Sequence, residues 1–320
     1  MDLSLSAEQR DIVTSVRSLL ARVPRPTTAV AELEGDSLTA LADAGFLDMT
    51  ELGGTGLDAT LVIDEAAAAG ICAPVAAKVL VAPAVTDREL PLVLGLAAAP
   101  AGQMVRFGSD AEAFLVVDGD RAVVVPLEDA TVVPHQVRWG YPAARVTVTG
   151  GERLEPGSGP ALLRAWRTGL AAEAGGLMRA AVRKAAVYVT EREQFGRPLG
   201  GYQSVQHRLA RGWVLAEGTT WLARRAAWFD DDDAAAAAAA CYACDGMREV
   251  FRTVHQVVGA MGITDEFGLT RLTGKLVYLH TELGGAAANA RALAAARWPD
   301  GRVPIPHEPR PTPMGAGSRA

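Results

Sequence analysis

Cysteine is scarce. Cys72, Cys241 and Cys244 are the only three in 320 residues, an odd and sparse set that argues against a disulfide scaffold and for a reducing compartment. Clustered cations are missing as well. The formal net charge is -6 and the pI is near 5.5, which argues against a general nucleic-acid binder, because counterion-releasing contacts need Lys and Arg gathered on one face. No apolar run reaches the roughly 20 residues that span a bilayer. The longest nearly uncharged stretch, 90–105, is interrupted by Pro91 and Pro100, so no membrane segment is expected. The opening MDLSLSAEQRD has neither the basic flank nor the apolar core of a signal peptide, and the expectation is a cytoplasmic protein.

Metal-ligand patterns are lacking too. His135, His207, His255, His280 and His307 show no spacing such as H-E-x-x-H, and the Cys241/Cys244 pair has no companion pair and lies in an Ala-rich helical stretch. Asp230 to Asp233 read as an acidic helix start that favours the macrodipole. Gly53, Gly54 and Gly56 lie in no βαβ unit and so are a loop, not a dinucleotide fingerprint. No metal is expected.

What is present is material for a core: 49% hydrophobic against 21% charged residues. Ser6 and Gln9 form a capping-box pair, and Ile12, Val13, Val16, Leu19, Leu20 and Val23 follow at helical spacing, ended by Pro24 and Pro26. Leu38, Leu41 and Ala42 predict a second helix, the LGGTG of 52–56 a turn, and Val62 to Gly70 a third helix. Between about 104 and 150 the pattern changes to short valine-rich runs, AFLVVDGDRAVVVP and ARVTVTG, with Asp118-Gly119 as a hairpin signal. From Ala161 long Ala- and Leu-rich stretches return, broken at Gly196 to Gly201, Asp230 to Asp233 and Gly259 to Thr264, so four antiparallel helices are predicted. The expected architecture is mainly α: an N-terminal helical domain (1–88), a short β domain (89–152), a four-helix bundle (153–297) and a proline-rich tail (298–320).

The most informative stretch is YVTEREQFGRPLGGYQSVQHRLA, 188–210. A helix is predicted to end near Phe195 with Gly196 as its stop, and the next to begin at Tyr202 or Gln203. Arg192, Phe195 and Gln203 then gather around one loop. A guanidinium, a ring and an amide there suit a planar anionic ligand; the alternative is a purely structural loop.

This segment resembles the signature of acyl-CoA dehydrogenases, where an Arg-x-x-Phe-Gly turn and a Tyr-Gln helix start contact FAD bound mainly by a neighbouring protomer. HQVVGAMGITDE, 255–266, is similar to the family's Gln-x-x-Gly-Gly-x-Gly segment, with Ala260 in place of the second glycine. LADAGFLDMTELGGTGLD, 41–58, resembles the family's N-terminal helical domain. The resemblance implies FAD, shared across a subunit interface, with Gln256, Gly259 and Gly262 close to its pyrophosphate alongside Arg192, Phe195 and Gln203. It also implies oxidation of an acyl-CoA thioester to the 2,3-enoyl-CoA, bundles associating into dimers of dimers, and an electron-transfer flavoprotein as acceptor.

The chain departs from that pattern in two ways. Only about fifty residues separate Met104 from Arg153, and neither the family's Thr-Glu-Pro strand nor its tryptophan strand, which cover the flavin, is there. The commonest position of the proton-abstracting glutamate falls on Leu283, with Glu282 one residue earlier; on a helix that is a rotation of about 100°. Glu282 is therefore the candidate base, set against a solvated helix glutamate. The alternative family position falls on Trp166, before Arg167. The resemblance thus extends to the shortened, base-lacking subunit of actinobacterial heteromeric acyl-CoA dehydrogenases of the steroid side-chain type, working with a catalytic partner chain. A self-sufficient homo-oligomer using Glu282 and a non-enzymatic acyl-CoA-binding scaffold are the alternatives.

Overall fold

A computed structural model describes residues 4–24 and 31–301; Pro26 and most of the proline-rich tail lie outside them. Helix α1 (Ala7–Leu20) starts with the reciprocal capping box of Ser6 and Gln9, which satisfies two orphan N–H groups. Helix α2 (Gly35–Asp43) follows. Helix α3 (Gly56–Ala69) starts six residues earlier than the apolar pattern suggests, on a second capping box from Thr55 and Asp58. Gln9 Nε2 donates to Asp58 Oδ1 at 3.0 Å, tying the two caps together. A single π-helical turn, Ala77–Val81, leads to the strands.

Seven strands follow: β1 (Leu94–Ala97), β2 (Gln103–Arg106), β3 (Ala113–Asp118), β4 (Arg121–Pro126), β5 (Ala130–His135), β6 (Ala143–Val148) and β7 (Glu152–Arg153). One sheet has the order β1-β3-β4-β7 and the other β2-β6-β5. The valine runs are thus β3 and β4, closed by a two-residue turn with Asp118 opposite Arg121. The β region begins earlier than the valine pattern predicts, at Leu94, because β1 lies in the low-charge stretch and pairs parallel with β3. Ala113 to Val117 are all buried, since β3 has a core on each face. Ala113, Leu115 and Val117 face one cluster with Leu162 and Trp166. Phe114 and Val116 face another, between the sheets, with Val105, Val123 and Val146. Gly95 is required here: a Cβ would lie 2.6 Å from the Phe114 ring.

Helix α4 (Ser158–Glu191) runs 34 residues through the centre and is buried on all sides from Thr168 to Arg179. It ends at Glu191, four residues before the predicted stop, because a short hairpin intervenes: β8 (Glu193–Gln194) and β9 (Arg197–Pro198). Helices α5 (Gln203–Trp228) and α6 (Asp233–Val258) complete three of the predicted four, and Asp232 caps α6 through the N–H of Ala235 at 2.9 Å.

The predicted fourth helix is two. Helix α7 (Thr270–Leu279) stops, and α8 (Gly285–Arg297) starts after a turn in which Leu283, Gly284 and Gly285 all have positive φ, of 52°, 77° and 66°. Adjacent glycines remove the steric objection to that conformation at two of the three positions. No helix among the described residues is long and apolar enough to cross a membrane.

Candidate functional site

The break between α7 and α8 decides where Glu282 goes. A continuous helix would turn it away from the family position; the left-handed Leu283 turns it inward, where its side chain is 10% exposed. It is not a solvated helix glutamate. Arg106, at the end of β2, donates from Nε to Glu282 Oε1 at 2.9 Å and from Nη1 to both oxygens of Glu173 on α4 at 3.1 Å. The Tyr141 hydroxyl donates to Glu173 Oε1, and the Arg106 guanidinium lies over the Tyr141 ring, 4.7 Å from its centroid. Lys275, on α7, approaches the same ring and donates to the carbonyls of Gly70 and Ile71, at 2.7 Å each.

Burial is the largest influence on Glu282 and raises its carboxyl above the ordinary glutamate range, against the pull of Arg106. The same burial raises the Tyr141 hydroxyl, with Glu173 adding to it, and lowers the Lys275 ammonium. Cys72, buried beside the cluster, is pushed up to about 11 by desolvation. Glu282 Oε2 and the Trp166 indole N–H are both buried with no other partner, and the indole lies near enough to the carboxyl to pull against its upward shift.

The cavity into which these groups look is lined by Pro74, Ala76, Ala77, Leu94, Leu96 and Phe107 together with Arg106, Glu173 and Glu282. Its walls are mostly apolar, yet its volume is about 20 Å³, little more than the ~10–15 Å³ one water requires.

The other predicted residues lie at one end of the bundle. Arg192 caps α4 and is exposed; Phe195 and Gly196 form the two-residue β8–β9 turn with φ of 56° and 83°. Positive φ at both positions is the turn that normally takes Asn-Gly. The Phe195 ring is 89% exposed. Tyr202 pins the hairpin, with Arg197 over its ring at 3.9 Å and its hydroxyl reaching the carbonyl of Phe195. Gln203 opens α5 and is exposed.

The 259–269 loop lies at the same end, because Phe267 packs edge-on against Tyr188 of α4, with ring centroids 5.2 Å apart. Gln256 is exposed, Gly259 ends α6 at φ 68°, and Gly262 is buried where a Cβ would come within 3.1 Å of His255 Nδ1. The six flavin candidates are thus brought to one bundle end, and Glu282 is held elsewhere, at the β-domain side. Arg106, Tyr141, Glu173 and Lys275 were not predicted. The available signal was Glu173, a lone acid inside the otherwise uncharged run GLAAEAGGLM.

A helical N-terminal unit, a small pair of sheets and a central bundle with a hairpin at its end define an acyl-CoA dehydrogenase fold. Residues 161–297 match the family described as "Acyl-CoA dehydrogenase, C-terminal domain", so the bundle is similar to that family's C-terminal domain. Acyl-CoA dehydrogenase FadE34 of Mycobacterium tuberculosis is 32% identical over 209 residues, covering 55% of this chain and 28% of that relative. The probable acyl-CoA dehydrogenase YngJ of Bacillus subtilis is 27% identical over 41% of this chain and 35% of its own length. These matches span about a third or less of each relative.

Among solved structures, the ChsE4-ChsE5 complex from Mycobacterium tuberculosis matches with a TM-score of 0.77 at 20% identity, covering 95% of this chain and 100% of that one. The butyryl-CoA dehydrogenase of Megasphaera elsdenii matches with a TM-score of 0.75 at 18% identity, covering 93% and 100%. Both likenesses are of fold.

Proposed function

We propose that this chain is a subunit of an FAD-dependent acyl-CoA dehydrogenase that oxidises an acyl-CoA thioester to the 2,3-enoyl-CoA together with a catalytic partner chain. The observation that carries this reading is the Arg106–Glu282 pair at the edge of an apolar cavity of about 20 Å³. Taking the α-proton needs a carboxylate within hydrogen-bond reach of it. Here the carboxylate is engaged by a guanidinium, and the cavity beside it is little larger than one water.

The exposed residues at the bundle end fit the other half of a flavin site. Arg192 offers a guanidinium for phosphate, Phe195 a ring, Gln203 and Gln256 amides, and Gly259 an open backbone that a nucleotide can approach closely, while Gly262 is buried behind it and lets the loop pack on His255. FAD, when bound, supplies the hydride acceptor. Phe195, Met261 and Ile263 are large apolar side chains left exposed at that end, which supports cover by a second subunit. The substrate class we favour is a lipid or steroid side-chain thioester, with an electron-transfer flavoprotein as acceptor, in the cytoplasm.

One observation favours a second reading, a self-sufficient enzyme. A carboxyl raised by burial in an apolar pocket has the properties of a general base, provided Arg106 swings away. Visible absorbance of the chain purified alone and co-expressed with a dehydrogenase-like partner separates the two. The leading reading expects flavin only in the complex, lost with Arg192→Ala, and turnover that survives Glu282→Gln. Flavin and turnover in the lone chain, abolished by Glu282→Gln, would overturn it.

A further inference from the structure

Another cavity opens between α3, α4 and α7. Its volume is about 410 Å³, and it is lined by Ala68, Ala69, Gly70, Ala180, Arg183, Lys184, Gly268, Arg271 and Leu272. Three of the nine are cations and none is acidic, in a chain whose net charge is -6. Such a concentration of one sign against the average is the electrostatic footprint of an anion site.

Two of the cations are held in place without spending their donors. Arg183 lies over the Trp213 ring, 5.0 Å from its centroid, and Lys184 over the Phe267 ring at 4.7 Å. A cation on an aromatic face is positioned by the ring quadrupole, and a stacked guanidinium keeps its in-plane N–H fork for another partner. Arg271 has one distant carboxylate, Glu34, at 4.0 Å. That contact leaves the cavity with a net positive lining.

The small residues leave the space open. Gly70 and Gly268 both have positive φ, and a Cβ at Gly268 would meet nothing closer than 3.9 Å. The first turn of α7, whose cap makes no side-chain hydrogen bond, contributes Arg271 and Leu272 to the wall. Helix N-termini add partial positive charge in the same direction as the side chains.

We infer that this cavity binds a phosphorylated ligand, recognised through a phosphate or diphosphate clamped between Arg183, Lys184 and Arg271. The site is distinct from the Arg106–Glu282 cluster and adjoins the 259–269 loop through Gly268 and Phe267, and it does not depend on the dehydrogenase reading. Its volume is enough for a phosphate with part of a nucleoside attached.

The test is calorimetric titration of the full chain, with its partner if it needs one to stay soluble, using sodium pyrophosphate, coenzyme A and FAD as separate probes. Pyrophosphate is expected to bind, and Arg183→Ala/Arg271→Ala to weaken it about tenfold or more, since charge-assisted bidentate contacts are removed. Arg252→Ala, an exposed arginine outside the cavity, should change nothing. Should the double variant fold poorly, Arg183→Gln alone, at an exposed position, is expected to show a smaller loss in the same direction. Coenzyme A or FAD binding more tightly than pyrophosphate, with the gain lost in the double variant, identifies a nucleotide as the source; equal binding identifies the phosphate group alone. Absence of pyrophosphate binding, or equal weakening by Arg252→Ala, overturns the inference.

Discussion

Arg106 Nε and Glu282 Oε1 stand 2.9 Å apart across 176 residues of sequence, joining the end of β2 to the break between α7 and α8. The two partners are not equivalent. Arg106 also holds Glu173, so Arg106→Met leaves two buried carboxylates without their cation. That substitution is expected to cost about 3–5 kcal/mol, the range for a buried charge stripped of its partner. Glu282→Gln keeps an acceptor for Nε and leaves Arg106 paired with Glu173, so its cost should stay below about 1 kcal/mol. Arg106→Met/Glu282→Leu should recover part of the loss. Urea unfolding of the three variants measures this, and equal costs for the two single substitutions would contradict the asymmetry.

The same carboxyl sets a pH dependence. Its folded-state pKa lies above the ordinary 4.5, with burial the main cause. A carboxyl raised on folding contributes stability that is complete below its unfolded pKa and lost as pH rises through the folded value. Wild type should therefore lose ground to Glu282→Gln as pH rises from 4.5 toward neutrality. Urea midpoints of both proteins at the two ends of that window decide it; the reverse trend would mean that the Arg106 ion pair outweighs burial.

The helices of the N-terminal unit and the bundle were legible because their periodicity is local. Ser6 with Gln9, and the aspartates before α6, mark helix starts that the structure keeps. The break at Gly284-Gly285 was missed although two adjacent glycines announced it, because the apolar spacing on either side continues in phase. Strand β1 was missed since LGLA has no alternation to read, being buried by β3 and by the π-helical turn. The cluster around Arg106 was out of reach for a different reason. Its members come from β2, the loop before β6, α4 and the α7–α8 turn, and no spacing rule connects residues that only the fold brings together.

Gly176 marks another such meeting. A Cβ there would lie 2.2 Å from the backbone oxygen of Asp64, where α3 crosses α4. Backbone cannot turn aside as a side chain can. Alanine normally favours a helix over glycine by about 1 kcal/mol, but Gly176→Ala is expected to destabilise by about 1–3 kcal/mol, the usual cost of overpacking. At Gly175 the nearest obstruction is the Thr220 hydroxyl, at 2.5 Å. That hydroxyl can turn aside only by giving up its bond from Arg179 Nη1, so Gly175→Ala should cost less than Gly176→Ala but still destabilise. Thermal unfolding of the pair tests the difference; a neutral Gly176→Ala would mean that α3 is free to shift.

Phe195 presents the opposite case, a residue whose removal should stabilise. It holds φ at 56° in a two-residue turn, a conformation that costs a non-glycine residue roughly 1–2 kcal/mol. Its ring is 89% exposed, so no buried contact compensates within the chain. Asparagine tolerates that conformation, and Phe195→Asn is expected to raise stability by about 1 kcal/mol. Strain kept at an exposed position points to a use outside the chain, and in the proposed flavin site that use is the ring. The same substitution should therefore lower flavin retention in the co-expressed complex while the isolated chain unfolds later. Improved stability with unchanged flavin content would reduce Phe195 to a hairpin residue and remove it from the cofactor site, whatever the fate of Arg192.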